Sequence, residues 1–171
     1  MASNSPEALG SVPAASDTFF LLMDTARLFY QALGESIVDN EQGLTPASLR
    51  ALGAVIRYQG AGLNGIAARM DLEPMSLIAQ IDRLTKAGLV ERRESPTDKR
   101  KKPLYPTAKA FKVMRDLDPC FDNLYRAMTQ DIQADEMDRL AAVLTKMRAN
   151  MTTDPSITAS FTLLPDEPEK A

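Results

Sequence analysis

The chain contains 171 residues, of which 44% are hydrophobic and 25% charged, a composition typical of one globular domain with flanking tails. No apolar run is longer than the five residues Phe19 to Met23, much fewer than the roughly 20 residues that cross a membrane. The first residues also lack the basic start and long apolar core of an export signal, which predicts a cytoplasmic protein with no membrane partner. The chain has one cysteine, Cys120, and no histidine, so we expect no internal disulfide, no metal, no cofactor and no catalytic residue.

The charges are strongly segregated along the chain. Residues 69–115 contain 12 Lys and Arg against six Asp and Glu, a net charge of +6, and the rest of the chain carries −9, for a total of −3. A basic segment within an acidic protein predicts a localised phosphate-binding surface.

The chain begins with a polar leader and a long helix. Residues 1–16 are small and polar without apolar periodicity, which predicts disorder. From residue 17 onwards, apolar side chains recur at steps of three and four between Phe19 and Ile37, which predicts a helix over 17–38.

Three shorter helices follow. Thr45 is a hydroxyl N-cap before a proline and predicts a helix over 45–58. A short helix is predicted over 64–70, and a further one over 74–88 ends at Gly88, which suits a left-handed C-terminal position. This spacing is typical of a helix-turn-helix module.

A basic hairpin is predicted next. Two short candidate strands, 89–93 and 102–105, are separated by the charged, turn-rich residues 94–101. Pro103 and Pro106 flank the returning strand, and since proline cannot donate a ladder hydrogen bond, that strand is expected at an edge.

The remaining helices complete one domain over 17–150. An apolar stripe from Thr107 to Met128 predicts a long helix that Pro119 kinks, and a last helix is predicted over 135–150. These helices and the first one have longer apolar stripes than a small core can cover, which predicts a homodimer. The fold class is therefore mainly α, with a winged helix-turn-helix lobe over 45–106, dimerisation helices over 17–38 and 107–150, and a flexible tail over 151–171.

The fourth helix has one face suited to DNA. At 100° per residue, its small, amide and guanidinium side chains lie about 140° from its apolar side. Such residues can approach base edges in a major groove, although a solvated amphipathic helix is the alternative. The candidate DNA-binding residues on this helix are Ser76, Ala79, Gln80 and Arg83. On the hairpin tip the cations that can reach phosphates or a minor groove are Lys99, Arg100, Lys101 and Lys102, with Asp98 either positioning the tip or simply exposed.

An ordered series of short motifs resembles the MarR/SlyA family of transcriptional regulators over roughly residues 20–150. The motifs are Leu44-Thr45, Ile66-Ala67, Ile81-Asp82-Arg83-Leu84, the residues from Gly88 to Arg92, Asp98-Lys99-Arg100 and Thr107-Ala108-Lys109-Ala110. The resemblance implies a dimeric winged helix-turn-helix that binds a palindromic double-stranded DNA operator. It further implies a repressor of a catabolic or efflux operon that is relieved by a small aromatic acid or phenol. Ala79 departs from the pattern, because family members often carry a basic side chain there.

The effector site is the least determined feature. In this family the effector enters a cleft between the DNA-binding lobe and the dimerisation helices, where Arg27 suits a carboxylate and Tyr30 a phenol. Arg27 could equally be an ordinary surface arginine, and Tyr30 a tyrosine at the edge of the core. Cys120 lies beside Phe121 and is expected to be a buried, inert thiol rather than a redox sensor.

Two other functions compete with this interpretation. Residues 60–65 have the GxGxxG spacing of a dinucleotide site, but the helical pattern before them predicts a turn between helices instead. A winged-helix module that binds protein partners without specific DNA binding is the second alternative.

Overall fold

A computed structural model describes residues 15–37, 43–95 and 102–158. The mainly helical fold with a small antiparallel sheet is confirmed. The elements in chain order are α1 (Ala15–Ser36), α2 (Pro46–Arg57), α3 (Leu63–Arg69), α4 (Pro74–Lys86), β1 (Val90–Arg92), β2 (Leu104–Pro106), α5 (Ala108–Asp116), α6 (Asp118–Met128), α7 (Ala134–Met151) and α8 (Pro155–Thr158).

Local signals in the sequence fix the ends of the helices in the helix-turn-helix. The Thr45 side chain accepts a hydrogen bond from the Ser48 backbone N–H, and the Ser48 hydroxyl accepts one from the Thr45 N–H, so α2 begins with a reciprocal capping box. After α4 the chain turns at Gly88, whose φ of +71° lies in the left-handed region that glycine adopts without strain. The helix boundaries expected from Thr45 and Gly88 are confirmed.

The core lies inside the winged helix-turn-helix. Helix α4 packs against α2 and α3, and β1 and β2 close the side of this group. Its fully enclosed side chains include Leu52, Ile66, Leu77, Ile81 and Leu84. Burying such large apolar side chains is the main source of stability, roughly 1.5–3 kcal/mol each.

Residues 60 and 61 anchor the two-stranded wing to the turn between α2 and α3. The pairing of β1 with β2 is antiparallel, with Glu91 opposite Tyr105. On the other side of β2, the Leu104 N–H donates to the Ala61 carbonyl at 3.0 Å, and the Gly60 N–H donates to the Leu104 carbonyl at 2.9 Å. The expectation of an edge strand is therefore wrong, because β2 pairs with β1 on one side and Leu104 bonds to residues 60 and 61 on the other. A side chain at Gly60 would be strained, because φ is +81° and a Cβ would lie 3.1 Å from the Tyr105 hydroxyl.

Three expectations about the second half of the chain need correction. Pro119 does not merely kink one helix: Leu117 ends α5 and precedes α6, because a proline at the start of a helix cannot donate to the preceding turn. Cys120 is half-buried, not fully buried. The tail, expected to be loose from residue 151, forms α8 and contacts the helix-turn-helix before the described residues end at 158. The leader over 1–14 lies outside the described residues.

Helices α1, α6 and α7, here called the outer helices, leave much apolar surface uncovered. Among the described residues, neither α6 nor α7 contains a buried side chain. In α1, Phe19, Phe20 and Leu21 are each more than half exposed. No described helix is long and apolar enough to cross a membrane.

Candidate nucleic-acid interface and adjoining cleft

Helix α4 has two chemically distinct sides, as its sequence predicts. Its inner side is apolar and fully enclosed, and consists of Leu77, Ile81 and Leu84. On its outer side Ser76, Ala79 and Arg83 are exposed, and Gln80 is half-buried. The four candidate contact residues of this helix therefore share one face, with small side chains at its N-terminal end and a guanidinium further along.

The two long polar side chains of this face are available for a ligand. Arg83 makes no hydrogen bond or ion pair with any residue in the described ranges. The Oε1 atom of Gln80 is buried and has no hydrogen-bond partner within the same ranges. Because this oxygen is buried, a base edge can reach it only after the Gln80 side chain rotates, and a hydrogen bond to it would recover part of the roughly 1–3 kcal/mol that an unpaired buried amide oxygen costs.

Two ion pairs stiffen the base of the wing. The Arg92 guanidinium contacts the Asp82 carboxylate at 2.6 Å and so links β1 to α4. Arg93 contacts Glu91 at 2.6 Å, and its guanidinium carbon lies 4.2 Å from the centre of the Tyr105 ring on the opposite strand. All these groups are partly exposed, so each pair contributes at most about 1 kcal/mol. Their effect is geometric, because they fix the direction in which the wing leaves α4.

The tip of the wing carries most of the remaining candidates. Lys102 is exposed at the start of the returning strand. Asp98, Lys99, Arg100 and Lys101 lie outside the described residues, so their contacts stay a prediction.

A cleft of about 390 Å³ separates the helix-turn-helix from the outer helices. Its walls come from α1, α2, the end of α3, α5 and α6, and are largely apolar, with Phe29, Leu33 and Phe121 among them. Tyr30 lines this cleft, in agreement with its predicted position. Arg27 is not among the lining residues, and its side chain instead pairs with Asp24 at 3.4 Å on the exposed surface of α1.

Three arginines supply the positive charge of the cleft, and sequence reasoning did not select them. Arg50, Arg57 and Arg69 all line it. Arg50 donates to the Met70 carbonyl at 3.1 Å, and its guanidinium carbon lies 5.5 Å from the Tyr30 ring centre. The seven-residue interval between Arg50 and Arg57, which is two helical turns, was a usable signal because it places both on one face of α2.

Comparisons with known proteins agree with the fold and with the resemblance. The family model described as MarR family matches residues 42–101. No curated protein matches the chain.

Among solved structures, a MarR-family transcriptional regulator from Rhodococcus sp. RHA1 is 23% identical, with a TM-score of 0.66 over 80% of this chain and 96% of that one. CouR from Rhodococcus jostii RHA1, solved with bound p-coumaroyl-CoA, is 24% identical, with a TM-score of 0.62 over 80% of this chain and 95% of that one. BpsR from Bordetella bronchiseptica, whose DNA binding is regulated by 6-hydroxynicotinic acid, is 18% identical, with a TM-score of 0.62 over 77% of this chain and 98% of that one.

Proposed function

Because residues 42–101 match the MarR family model, we propose that the protein is a homodimeric regulator that binds a palindromic DNA operator and responds to a small aromatic anion. In this proposal it represses a catabolic or efflux operon, and the effector releases it from DNA. MarR-family transcription regulators are generally not enzymes, and nothing in the described residues points to catalysis. The observation that carries the proposal is the outer face of α4, where Arg83 is exposed without a partner among the described residues.

The outer face of α4 supports base reading in a major groove. Gln80 can bond bidentately to adenine and Arg83 to guanine, while Ser76 and Ala79 allow close approach of the helix. The wing beside it, through Lys102 and the tip cations, supplies phosphate contacts that position the protein.

The uncovered apolar surface supports a dimer. In α1 and α7, large side chains such as Phe20 (63% exposed) and Val143 (52%) stay largely exposed among the described residues. Exposed apolar area of this extent marks a protein interface, and a twofold dimer covers it with the same surface of a second chain. Such a dimer presents two α4 helices, which accounts for a palindromic operator with half-sites about one helical turn apart.

The 390 Å³ cleft supports an aromatic, anionic effector. Its volume lies within the usual range for small-molecule sites, its walls are apolar, and its arginines can bind a carboxylate. CouR was solved with bound p-coumaroyl-CoA, an aromatic thioester, and the DNA binding of BpsR is regulated by 6-hydroxynicotinic acid, an aromatic acid. The cleft also lies between the helix-turn-helix and the outer helices, so an occupant can change how they pack.

A selection of genomic DNA fragments tests the proposal. Purified protein is incubated with sheared DNA, weakly bound fragments are removed with salt, and the retained fragments are sequenced. We expect an approximate palindrome, and we expect Arg83→Ala to lose its enrichment while Arg139→Ala, an exposed arginine on α7, retains it. If no sequence is enriched, specific DNA binding is refuted and the protein-binding alternative gains support.

A further inference from the structure

The C-terminal segment folds back onto the helix-turn-helix. After α7, residues 152–158 reach two of the cleft arginines. The Arg57 Nη2 atom donates to the Ile157 carbonyl at 2.9 Å, and Arg69 contacts the Asp154 carboxylate at 3.4 Å. Arg69 also donates through Nε to the Ser156 hydroxyl at 3.3 Å. These contacts connect the end of α7 to α2 and α3.

The two arginines flank one aromatic ring. The guanidinium carbons of Arg57 and Arg69 lie 5.5 Å and 5.0 Å from the centre of the Tyr58 ring. These three residues line the 390 Å³ cleft and also an adjoining depression of about 410 Å³, which Ser156 borders. Guanidinium groups held against a ring in this way present their donors to a carboxylate or a phosphate.

The segment presents a preformed anion to this pair. The Ser156 hydroxyl donates to Asp154 Oδ1 at 2.6 Å, and the Ser156 backbone N–H donates to the same oxygen at 2.9 Å. These two hydrogen bonds, with the positive charge of Arg69, lower the pKa of the Asp154 carboxyl. Asp154 is therefore a carboxylate at neutral pH.

We propose that Arg57 and Arg69 form an anion-binding site at the outer end of the effector cleft, and that Asp154 occupies it as an internal competitor. The ligand class is an aromatic compound with a carboxylate or phosphate group, its ring in the apolar cleft and its anion at Arg69. This inference rests on the proposed function only in taking the cleft as the effector site.

The contact between Arg69 and Asp154 is weak enough for a ligand to displace Asp154. The side chains of Arg69 and Asp154 are 28% and 36% exposed, so water screens their attraction and the contact is weak. A ligand anion that takes Arg69 must displace Asp154 and with it the 152–158 segment. Ligand binding is thereby coupled to the connection between α7 and the DNA-binding lobe.

Calorimetric titration of the full-length protein without DNA tests the competition, with benzoate and phenyl phosphate as probes. We expect Asp154→Asn to bind at least one probe about two- to fivefold more tightly than the unchanged protein, the range for losing a screened competitor. The probe with the larger gain distinguishes a carboxylate from a phosphate. Asp135→Asn is the matched control, since it removes the same charge from α7, where Asp135 pairs with the exposed Arg139 at 3.0 Å and with no other described residue. Equal gains in both variants, or no binding of either probe, would overturn the proposal.

Hydrogen exchange of the backbone amides in 152–158 gives a second readout. A saturating probe should speed exchange of this segment in the unchanged protein, and Arg69→Gln should both speed it without a probe and weaken probe binding. Probe binding that leaves this exchange unchanged would refute the displacement. Neither readout uses DNA, so an absence of specific DNA binding would refute the proposed function alone. Probe affinity independent of Asp154 would refute this inference alone.

Discussion

Arg83 and Leu84 are neighbours on α4 with opposite environments, and replacing each by alanine separates DNA binding from stability. Arg83 is exposed and has no partner among the described residues, whereas Leu84 is 0% exposed in the core. If the outer face of α4 reads DNA, Arg83→Ala should weaken operator binding without lowering the stability of the protein. Leu84→Ala should lower the stability without weakening operator binding by the molecules that remain folded.

The magnitudes follow from these environments. Removing a buried leucine side chain leaves a cavity and costs about 2–5 kcal/mol of unfolding free energy. Removing an exposed arginine changes that free energy by no more than about 0.5 kcal/mol. A bidentate arginine–guanine contact contributes roughly 1–3 kcal/mol of discrimination, so Arg83→Ala should lower operator affinity about 5- to 150-fold.

Urea denaturation at one protomer concentration measures the unfolding free energies, because dimer stability depends on concentration. Fluorescence anisotropy with the selected operator and with random DNA measures binding, and Arg139→Ala controls for loss of an exposed positive charge. The assignment of base reading to α4 is refuted if Arg83→Ala keeps its operator affinity, or if it weakens operator and random DNA equally. The packing argument is refuted if Leu84→Ala is as stable as the unchanged protein.

Four further changes test other parts of the molecule. Gln80→Ala should lower the ratio of operator to random-DNA affinity about fivefold or more in competition binding, and an unchanged ratio would remove Gln80 from base reading. Arg100→Ala should weaken DNA binding and reduce the slope of log affinity against log salt concentration by about 1 in magnitude. An unchanged slope would place Arg100 away from phosphates. Thr45→Ala should lower the unfolding free energy by about 1 kcal/mol in urea denaturation, and no loss would mean that the α2 cap is dispensable. If Arg50 holds the carboxylate together with Arg57 and Arg69, Arg50→Gln should weaken binding of benzoate about tenfold by calorimetry, since hydrogen bonds to charged groups contribute roughly 1.5–3 kcal/mol, and full affinity would leave the carboxylate to Arg57 and Arg69.

Residues with strong local preferences made the winged helix-turn-helix predictable. Thr45 caps the first turn of α2, and Gly88 adopts the left-handed conformation after α4. The apolar period of α4 correctly separated Leu77 and Ile81 from the outer face, because side-chain direction in a helix depends only on residue spacing. The ordered series of short motifs along these elements carried the resemblance to the MarR family, whose model matches residues 42–101.

The cleft was less predictable than the helix face. Tyr30 was selected correctly as a lining residue, but the accompanying cation was expected at Arg27, which the fold directs towards Asp24. Arg57 and Arg69 both lie against the Tyr58 ring because α2 and α3 pack on α4, and the periodicity within α2 or α3 does not reveal how the two helices are placed. The half-burial of Cys120 likewise depends on how α6 packs, which its neighbouring apolar residues did not reveal.

The sequence alone therefore determined the helices, their caps, the basic segment and the exposed polar side of α4, because these depend on residues a few positions apart. Tertiary structure decided the contacts between distant residues. Leu104 bonds to Gly60 and Ala61, and Asp154 meets Arg69, only once the helices have packed and brought those backbones together. Such contacts leave no recognisable pattern in the sequence, since the two partners are far apart along the chain and meet only in the folded protein.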